Sequence, residues 1–242
     1  MATRTNGQWR LAARPEGLVK ETDFSWRDEP APTIADGQAL VRTIYLSLDP
    51  TNRMWASDAE GYMPPVQLGE ITRGLTLGVI VESKAPSLPV GAVVSGMWGW
   101  QSFAAVDPSS AYPVPQLPGV PLLAYMAVLN LIIGGTAYFG LLEIGQAKAG
   151  ETLVVSAAAG AVGSVVGQIG KLKGLRVIGI AGTDGKCRWL RDDLGFDGAI
   201  NYKRQDVAAE LKRLCPGGVD INFESVGGPV MDAVISNMRQ GG

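Results

Sequence analysis

The chain has 242 residues, of which 46% are hydrophobic and 18% charged, and its formal net charge is −2. These values are typical of a folded globular protein and argue against a disordered one. A nearly neutral chain offers no electrostatic basis for binding nucleic acid or a membrane surface. Cys187 and Cys215 show no paired or metal-ligand spacing. The polar N-terminus lacks the apolar core of a signal peptide, so we expect a cytoplasmic protein.

Residues 1–120 are rich in glycine and proline and contain short β-like runs separated by turn signals. The runs are 38–48, 77–83, 92–100 and 102–107. Short strands without intervening helices predict a β domain, a barrel or half-barrel. The proline-rich stretch 107–121 predicts an extended crossover into a second domain over 121–242.

The uncharged segment 122–142 opens this second domain. Its length would allow it to cross a bilayer. It contains Asn130, Gly134 and Thr136, however, and no cationic cluster flanks it. We therefore expect a helix buried between two domains and no membrane partner.

Strand-like and helix-like segments alternate from residue 153 onward. The predicted strands are 153–157, 176–182, 198–203 and 220–226, and the predicted helices are 161–173, 185–194, 206–214 and 229–238. Such alternation indicates a doubly wound parallel sheet, a Rossmann fold. Only one mononucleotide-binding half and the start of the second are present, so we expect the chain to be incomplete at its C-terminus.

The turn between the first predicted strand and helix is composed of small residues and reads Ala158-x-Gly160-x-x-Gly163. A strand, a tight small-residue turn and a helix present free backbone amides to a pyrophosphate. Gly160 would let the backbone approach the phosphates, and Gly163 would let the helix pack closely on the strand. We expect the helix to bury a face made of Val165, Val166, Ile169 and Leu172. The alternative is that this small-residue turn binds no ligand and serves only to pack the helix tightly on the strand.

The end of the second predicted strand bears on the choice of dinucleotide. Its tip is Ala181-Gly182-Thr183, followed by Asp184 and Lys186. Small neutral residues beside a lysine favour a 2′-phosphate over a free ribose hydroxyl, hence NADP. Asp184 could cap the next helix or bind the hydroxyl itself, which leaves NAD open.

The chain has no histidine, which excludes histidine acid–base catalysis and every histidine-containing metal site. Two cysteines cannot supply three zinc ligands, so we expect no metal. Direct hydride transfer to or from a bound cofactor remains, with a tyrosine hydroxyl as the plausible proton donor.

The sequence resembles the zinc-independent medium-chain dehydrogenases/reductases, in the branch of NADP-dependent alkenal and enone reductases that includes prostaglandin, leukotriene and curcumin reductases. The matching stretches are 8–17, 45–53, 135–174, 179–187 and 194–203. The resemblance implies a GroES-like β domain followed by a Rossmann domain. It also implies reduction of the activated C=C bond of an α,β-unsaturated ketone or aldehyde by NADPH.

The resemblance also assigns residues to the cofactor. Its implied cofactor-binding residues are Gly160, Ala161, Val162, Gly163, Ser164, Gly182, Thr183, Lys186, Tyr202 and Ser225. Among these, Lys186 and Tyr202 stand where the family holds the 2′-phosphate. Ser225 replaces a common asparagine, which weakens or removes a contact there. Ile133 replaces a proline, so the helix before Thr136 is expected to run on unkinked.

For catalysis the resemblance points to Tyr62, which aligns with a tyrosine of the substrate cleft; a surface aromatic is the alternative. Trp98 and Trp100 fall where relatives place aromatics that contact substrate, and Thr136 matches a position near the nicotinamide. Two other hypotheses remain open: a quinone reductase on the same scaffold, and a truncated NADP(H)-binding fragment with little turnover. The implied partner is a small molecule, and the complete chain is expected to form a homodimer.

Overall fold

The computed structural model describes residues 4–59 and 61–240. The chain forms two compact units, one ending at Met126 and the other beginning at Ala127. Among the described residues, no helix has both the length and the apolar character needed to cross a membrane.

The first unit is built from antiparallel strands. Its elements are β1 Thr5–Leu11, β2 Phe24–Pro30, β3 Ala39–Leu46, α1 Pro50–Trp55, β4 Thr76–Ser83, β5 Val93–Gly96, β6 Phe103–Val106 and β7 Tyr112–Pro113. Strands β1 and β2 form a two-stranded sheet, and the others form a five-stranded sheet in the order β6-β3-β4-β5-β7. The four predicted runs are confirmed as β3 to β6. Strands β1, β2 and β7 and helix α1 were not predicted from the sequence.

The core of the first unit lies on one face of the five-stranded sheet, where small aliphatic side chains pack around Val41, Ile80 and Val94. Strands β3 and β4 approach closely at Gly78, where a β-carbon would lie 2.4 Å from Val41 Cγ1 and 2.6 Å from the carbonyl oxygen of Arg42. Glycine is therefore required at this position in β4.

The second unit confirms the predicted doubly wound fold. Its elements are β8 Thr152–Val155, α4 Ala161–Leu172, β9 Arg176–Ala181, α5 Asp184–Asp192, β10 Gly198–Asn201, α6 Val207–Leu214, β11 Ile221–Phe223 and α7 Gly228–Ile235. The four strands are parallel in the order β10-β9-β8-β11. Numbered within the unit this order is 3-2-1-4, the first part of a dinucleotide-binding sheet. Apart from their first residues, Thr152 and Arg176, the two central strands are buried, as apolar runs covered on both faces should be.

Helix α4 packs on the sheet differently from the prediction. Val165 and Val166 are buried as expected, but Leu172 is 87% exposed. Glycines occupy much of the buried face instead: Gly163, Gly167 and Gly170 are all buried. A β-carbon at Gly170 would lie 2.9 Å from Leu153 Cδ2, so this helix lies unusually close to β8.

The prediction of one continuous buried helix over 122–142 is wrong. The segment contains α2 Leu123–Ala127, a π-helical turn Leu131–Gly135, the short α3 Thr136–Tyr138 and a second π-helical turn Phe139–Ile144. The Asn130 side chain accepts a hydrogen bond from the Ile133 amide at 2.8 Å and starts a new turn there. The interruption lies between α2 and Leu131, whereas the helical turns continue without a break through Ile133 as far as Ile144. This segment exposes apolar side chains, among them Leu131, which is 77% exposed.

Candidate functional site

A cavity of about 270 Å³ lies at the carboxyl ends of the four parallel strands. Each strand's following loop or helix contributes to it. The lining residues are Ala157, Ala159, Gly160, Ile180, Ala181, Gly182, Thr183, Lys186, Tyr202, Lys203, Val226 and Val230. The carboxyl edge, beside the switch point where β8 neighbours both β9 and β11, is where open α/β sheets bind ligands.

The glycine-containing turn enters this cavity from β8. Gly160 is the N-cap residue of α4 and provides no side-chain cap. Ala161, Val162 and Gly163 form the first turn, so their amides have no acceptor within the helix. The Ser164 hydroxyl donates back to the carbonyl oxygen of Ala161 at 3.1 Å. This uncapped, partially positive helix end can receive an anionic group such as a phosphate.

Gly163 fixes how closely α4 approaches the turn. A β-carbon there would lie 2.6 Å from the carbonyl oxygen of Ala157 and 2.9 Å from Ala158 Cα. Ala157 itself has φ 45°, in the left-handed region that glycine usually occupies. The backbone strain is therefore at Ala157, which directly precedes Ala158, the first residue of the small-residue pattern.

Helix α5 begins at the end of β9 with Thr183 as its N-cap residue. The Thr183 hydroxyl accepts a hydrogen bond from the Lys186 amide at 3.2 Å. The suggestion that Asp184 caps this helix is therefore wrong. Lys186 is exposed and lines the cavity, so its ammonium group is available to an anionic ligand.

The Asp184 carboxylate does not line this cavity and is bound by two side chains, those of Asn201 and Arg204. Its Oδ1 accepts a hydrogen bond from Asn201 Nδ2 and its Oδ2 one from Arg204 Nη1, both at 2.5 Å. Asp184 lines a second cavity of about 320 Å³ together with three arginines, Arg188, Arg191 and Arg213.

The turn after β10 brings Tyr202 and Lys203 to the first cavity. Asn201, which is 4% exposed, organises this turn. Its side-chain Oδ1 accepts a hydrogen bond from the backbone amide of Lys203 at 3.1 Å, and its own backbone amide donates to Gln205 Oε1 at 2.8 Å. Lys203 Nζ lies 6.0 Å from the centroid of the Tyr202 ring. A β-carbon on Gly182 would lie 3.1 Å from that ring, so glycine leaves room for it.

Sequence reasoning selected Lys186 and Tyr202 but missed Lys203, Asn201 and Arg204. The signal was present, because residues 201–203 form part of a matching stretch and directly follow a predicted strand end. With Lys186, Lys203 provides a second cation at the cavity, which suits a doubly charged phosphate.

Ser225 does not line the cavity, although its neighbour Val226 does. The Ser225 amide donates to Ser156 Oγ at 2.7 Å, and that hydroxyl donates to Glu224 Oε1 at 2.9 Å. Burial alone would raise the pKa of Glu224. Hydrogen bonds from the Gly227 and Val226 amides and from Ser156 outweigh burial and lower this pKa below its ordinary value.

The candidates of the first unit make different contacts. Tyr62 is 69% exposed, and its ring centroid lies 6.2 Å from that of Trp55. Trp98 Nε1 donates to Thr43 Oγ1 at 3.1 Å, and Trp100 lines a cavity of about 370 Å³ in this unit. Tyr62 does not line that cavity.

Thr136, the remaining candidate, lies in α3 of the second unit. Its hydroxyl donates to the carbonyl oxygen of Ile132 at 2.5 Å. Thr136 is exposed, and its hydroxyl proton is used in this local hydrogen bond within the helix.

Cys187 and Cys215 are both buried with free thiols. Burial raises the pKa of each thiol, although Arg191 and Arg176 respectively act in the opposite direction. Within residues 4–59 and 61–240, no three histidine, cysteine, aspartate or glutamate side chains lie together as a metal site would require.

Two family models match the chain. Residues 7–114 match the N-terminal domain of oxidoreductases, and residues 161–242 match a model described as zinc-binding dehydrogenase. The second description refers to a family that includes zinc enzymes, whereas this chain has no histidine.

Similar proteins of known activity cover nearly the whole chain. The NADPH-dependent curcumin reductase of Escherichia coli is 45% identical over 95% of this chain and 66% of its own length. The NADP-dependent 2-alkenal reductase of Nicotiana tabacum is 41% identical over 97% of this chain and 70% of its own length. The crystal structure of CurA from Vibrio vulnificus in complex with NADPH is 45% identical, with a TM-score of 0.88 over 97% of this chain and 69% of that one. The chain thus spans about two thirds of these relatives.

Proposed function

Since the chain belongs to the zinc-independent medium-chain dehydrogenases/reductases, in the alkenal and enone reductase branch, we propose that it uses NADPH to reduce the C=C bond of α,β-unsaturated ketones and aldehydes. The single observation that supports this best is the cavity at the sheet's carboxyl edge. It combines an uncapped helix N-terminus with two lysines, features that suit a pyrophosphate and a 2′-phosphate respectively.

The residues present fit this cofactor. Gly160 places no side chain over the first turn of α4, so the amides of Ala161, Val162 and Gly163 would hold the pyrophosphate. Lys186 and Lys203 would hold the 2′-phosphate, with Tyr202 beside them and Gly182 providing space for its ring. When bound, NADPH supplies the hydride that adds to the β-carbon of the enone.

The chain must also supply a proton to the α-carbon, because hydride addition leaves an enolate that has to be protonated. We assign this to Tyr62 or to water. A phenol hydroxyl can donate a proton, and the high exposure of Tyr62 leaves it accessible to both substrate and solvent.

The direct test is NADPH consumption, followed at 340 nm, by the purified chain with 1-nonen-3-one and with the corresponding saturated ketone. We expect turnover with the enone alone, and product analysis should give the saturated ketone. Reduction of the carbonyl, or turnover only with quinones, would contradict the proposal. Calorimetric titration with NADPH in parallel separates a chain that binds without turnover from one that does not bind.

The substrate is thus expected to be a small molecule. We also propose a homodimeric, cytoplasmic protein, on the strength of the family resemblance and of two free, buried cysteines. Light scattering coupled to size exclusion would test the dimer, and fractionation of cells producing the native protein would test its location.

A further inference from the structure

Asp184 is a negative charge close to the proposed 2′-phosphate subsite. It follows Gly182 and Thr183, which line the cavity, and precedes Lys186 on the same helix. An acidic residue near the end of the second strand is the feature by which NAD-binding sheets hold ribose hydroxyls. A free carboxylate here would therefore favour NADH and repel the phosphate of NADPH.

In the structure this carboxylate is not free and does not line the first cavity. Asn201 Nδ2 and Arg204 Nη1 each donate to one of its oxygens at 2.5 Å, and it lies among the arginines of the second cavity. Arg204 and Asp184 are 73% and 46% exposed, so the ion pair contributes little to stability. Stability alone therefore does not account for the pair.

We propose that Arg204 is a positioning residue for cofactor specificity: by neutralising Asp184 and holding it toward the second cavity, it keeps the first cavity selective for NADPH over NADH. This inference rests on the proposed function. Asn201 is neutral and can orient the carboxylate but cannot cancel its charge. Of the two side chains that donate to this carboxylate in the described structure, only Arg204 does both.

The geometry links this device to the phosphate subsite itself. Arg204 lies on the same turn as Tyr202 and Lys203, and the carbonyl oxygen of Asn201 accepts the Arg204 amide at 3.0 Å. A single turn thus places Lys203 at the first cavity and Arg204 in contact with the Asp184 carboxylate.

The test is equilibrium binding of NADPH and NADH to Arg204→Ala, Asp184→Asn and the double variant, with 2′,5′-ADP as a competitor that carries the phosphate but no nicotinamide. We expect Arg204→Ala to lower the NADPH-to-NADH affinity ratio by about tenfold, since release of one like charge toward a phosphate is an effect of this order. In the Asp184→Asn background the same substitution should change the ratio less than about twofold. Arg204→Lys should keep most of the preference.

Arg239→Ala is the matched control, because it removes an exposed arginine of the same unit that is paired with Asp220 at 2.5 Å and lines neither cavity. An unchanged NADPH-to-NADH affinity ratio in Arg204→Ala would overturn the inference. So would an equal fall in that ratio when Arg204→Ala is made in the Asp184→Asn background, because Arg204 would then bind the phosphate directly. Either outcome leaves the proposed function intact if the wild-type chain prefers NADPH. Failure of the wild-type chain to bind either nucleotide would overturn both.

Discussion

The contact at Gly163 allows one substitution to be predicted quantitatively. In Gly163→Ala the new β-carbon would lie 2.6 Å from the carbonyl oxygen of Ala157 and 2.9 Å from Ala158 Cα. Both contacts are with backbone, so no side-chain rotation can relieve them. Either α4 must move away from the sheet or the turn that lines the cavity must shift.

Overpacking of this kind costs roughly 1–3 kcal/mol, whereas alanine gains about 1 kcal/mol over glycine inside a helix. We therefore expect Gly163→Ala to lower the free energy of unfolding by up to about 2 kcal/mol. Displacement of the turn should also weaken NADPH binding by about tenfold, which is ~1.4 kcal/mol.

Gly185→Ala is the control for this prediction. Gly185 also lies in a first helical turn, but the nearest atom to its added β-carbon is Arg188 Nη2 at 4.0 Å. It should be neutral or stabilising by up to about 1 kcal/mol. Urea denaturation followed by circular dichroism, with calorimetric NADPH titration, measures both effects. If Gly163→Ala is as stable as Gly185→Ala and binds NADPH equally well, the close approach of helix and turn is not what requires glycine.

Three further predictions concern charge and catalysis. Lys186→Ala should raise the KM for NADPH about tenfold and that for NADH little, because only NADPH carries the 2′-phosphate; Lys173→Ala, an exposed lysine outside the cavity, should change neither, and equal responses to both cofactors would contradict the assignment. Tyr62→Phe should lower kcat about tenfold or more while NADPH affinity stays constant, with Tyr112→Phe as the control; unchanged kcat would leave water as the donor. The pKa of Glu224 is lowered in the folded state, so the stability that Glu224 contributes is present above its unfolded pKa, about 4.3, and is lost as the pH falls through the folded pKa. The free energy of unfolding, measured against pH, should therefore fall more steeply at acid pH in wild type than in Glu224→Gln.

The alternating pattern predicted the second unit well because parallel strands buried on both faces require continuous apolar runs. Thr152–Val155 and Arg176–Ala181 agree with the predicted strands to within a few residues. The strands of the first unit were harder to predict. Strands β1 and β2 contain Trp9 and Trp26, which pack against each other, and they lack a regular alternation of apolar and polar residues. That pairing depends on register between distant segments.

The errors within the second unit have local causes. Gly134 and Val128 approach so closely that a β-carbon on Gly134 would overlap the Val128 carbonyl oxygen, at 1.6 Å. Hydropathy carries no information about such a backbone contact, so the segment was predicted as one helix. Similarly, the role of Asp184 was ambiguous in sequence because its partners Asn201 and Arg204 follow 17 and 20 residues later.

The burial of both thiols has a consequence for an enzyme of this proposed kind. Unsaturated aldehydes and ketones alkylate accessible thiolates by conjugate addition, so a protein that handles them is exposed to damage by its own substrate. Cys187 and Cys215 are 4% and 5% exposed, and burial raises the pKa of each, which keeps the nucleophilic thiolate scarce and little exposed. The fold thereby makes both cysteines poor targets for self-inactivation.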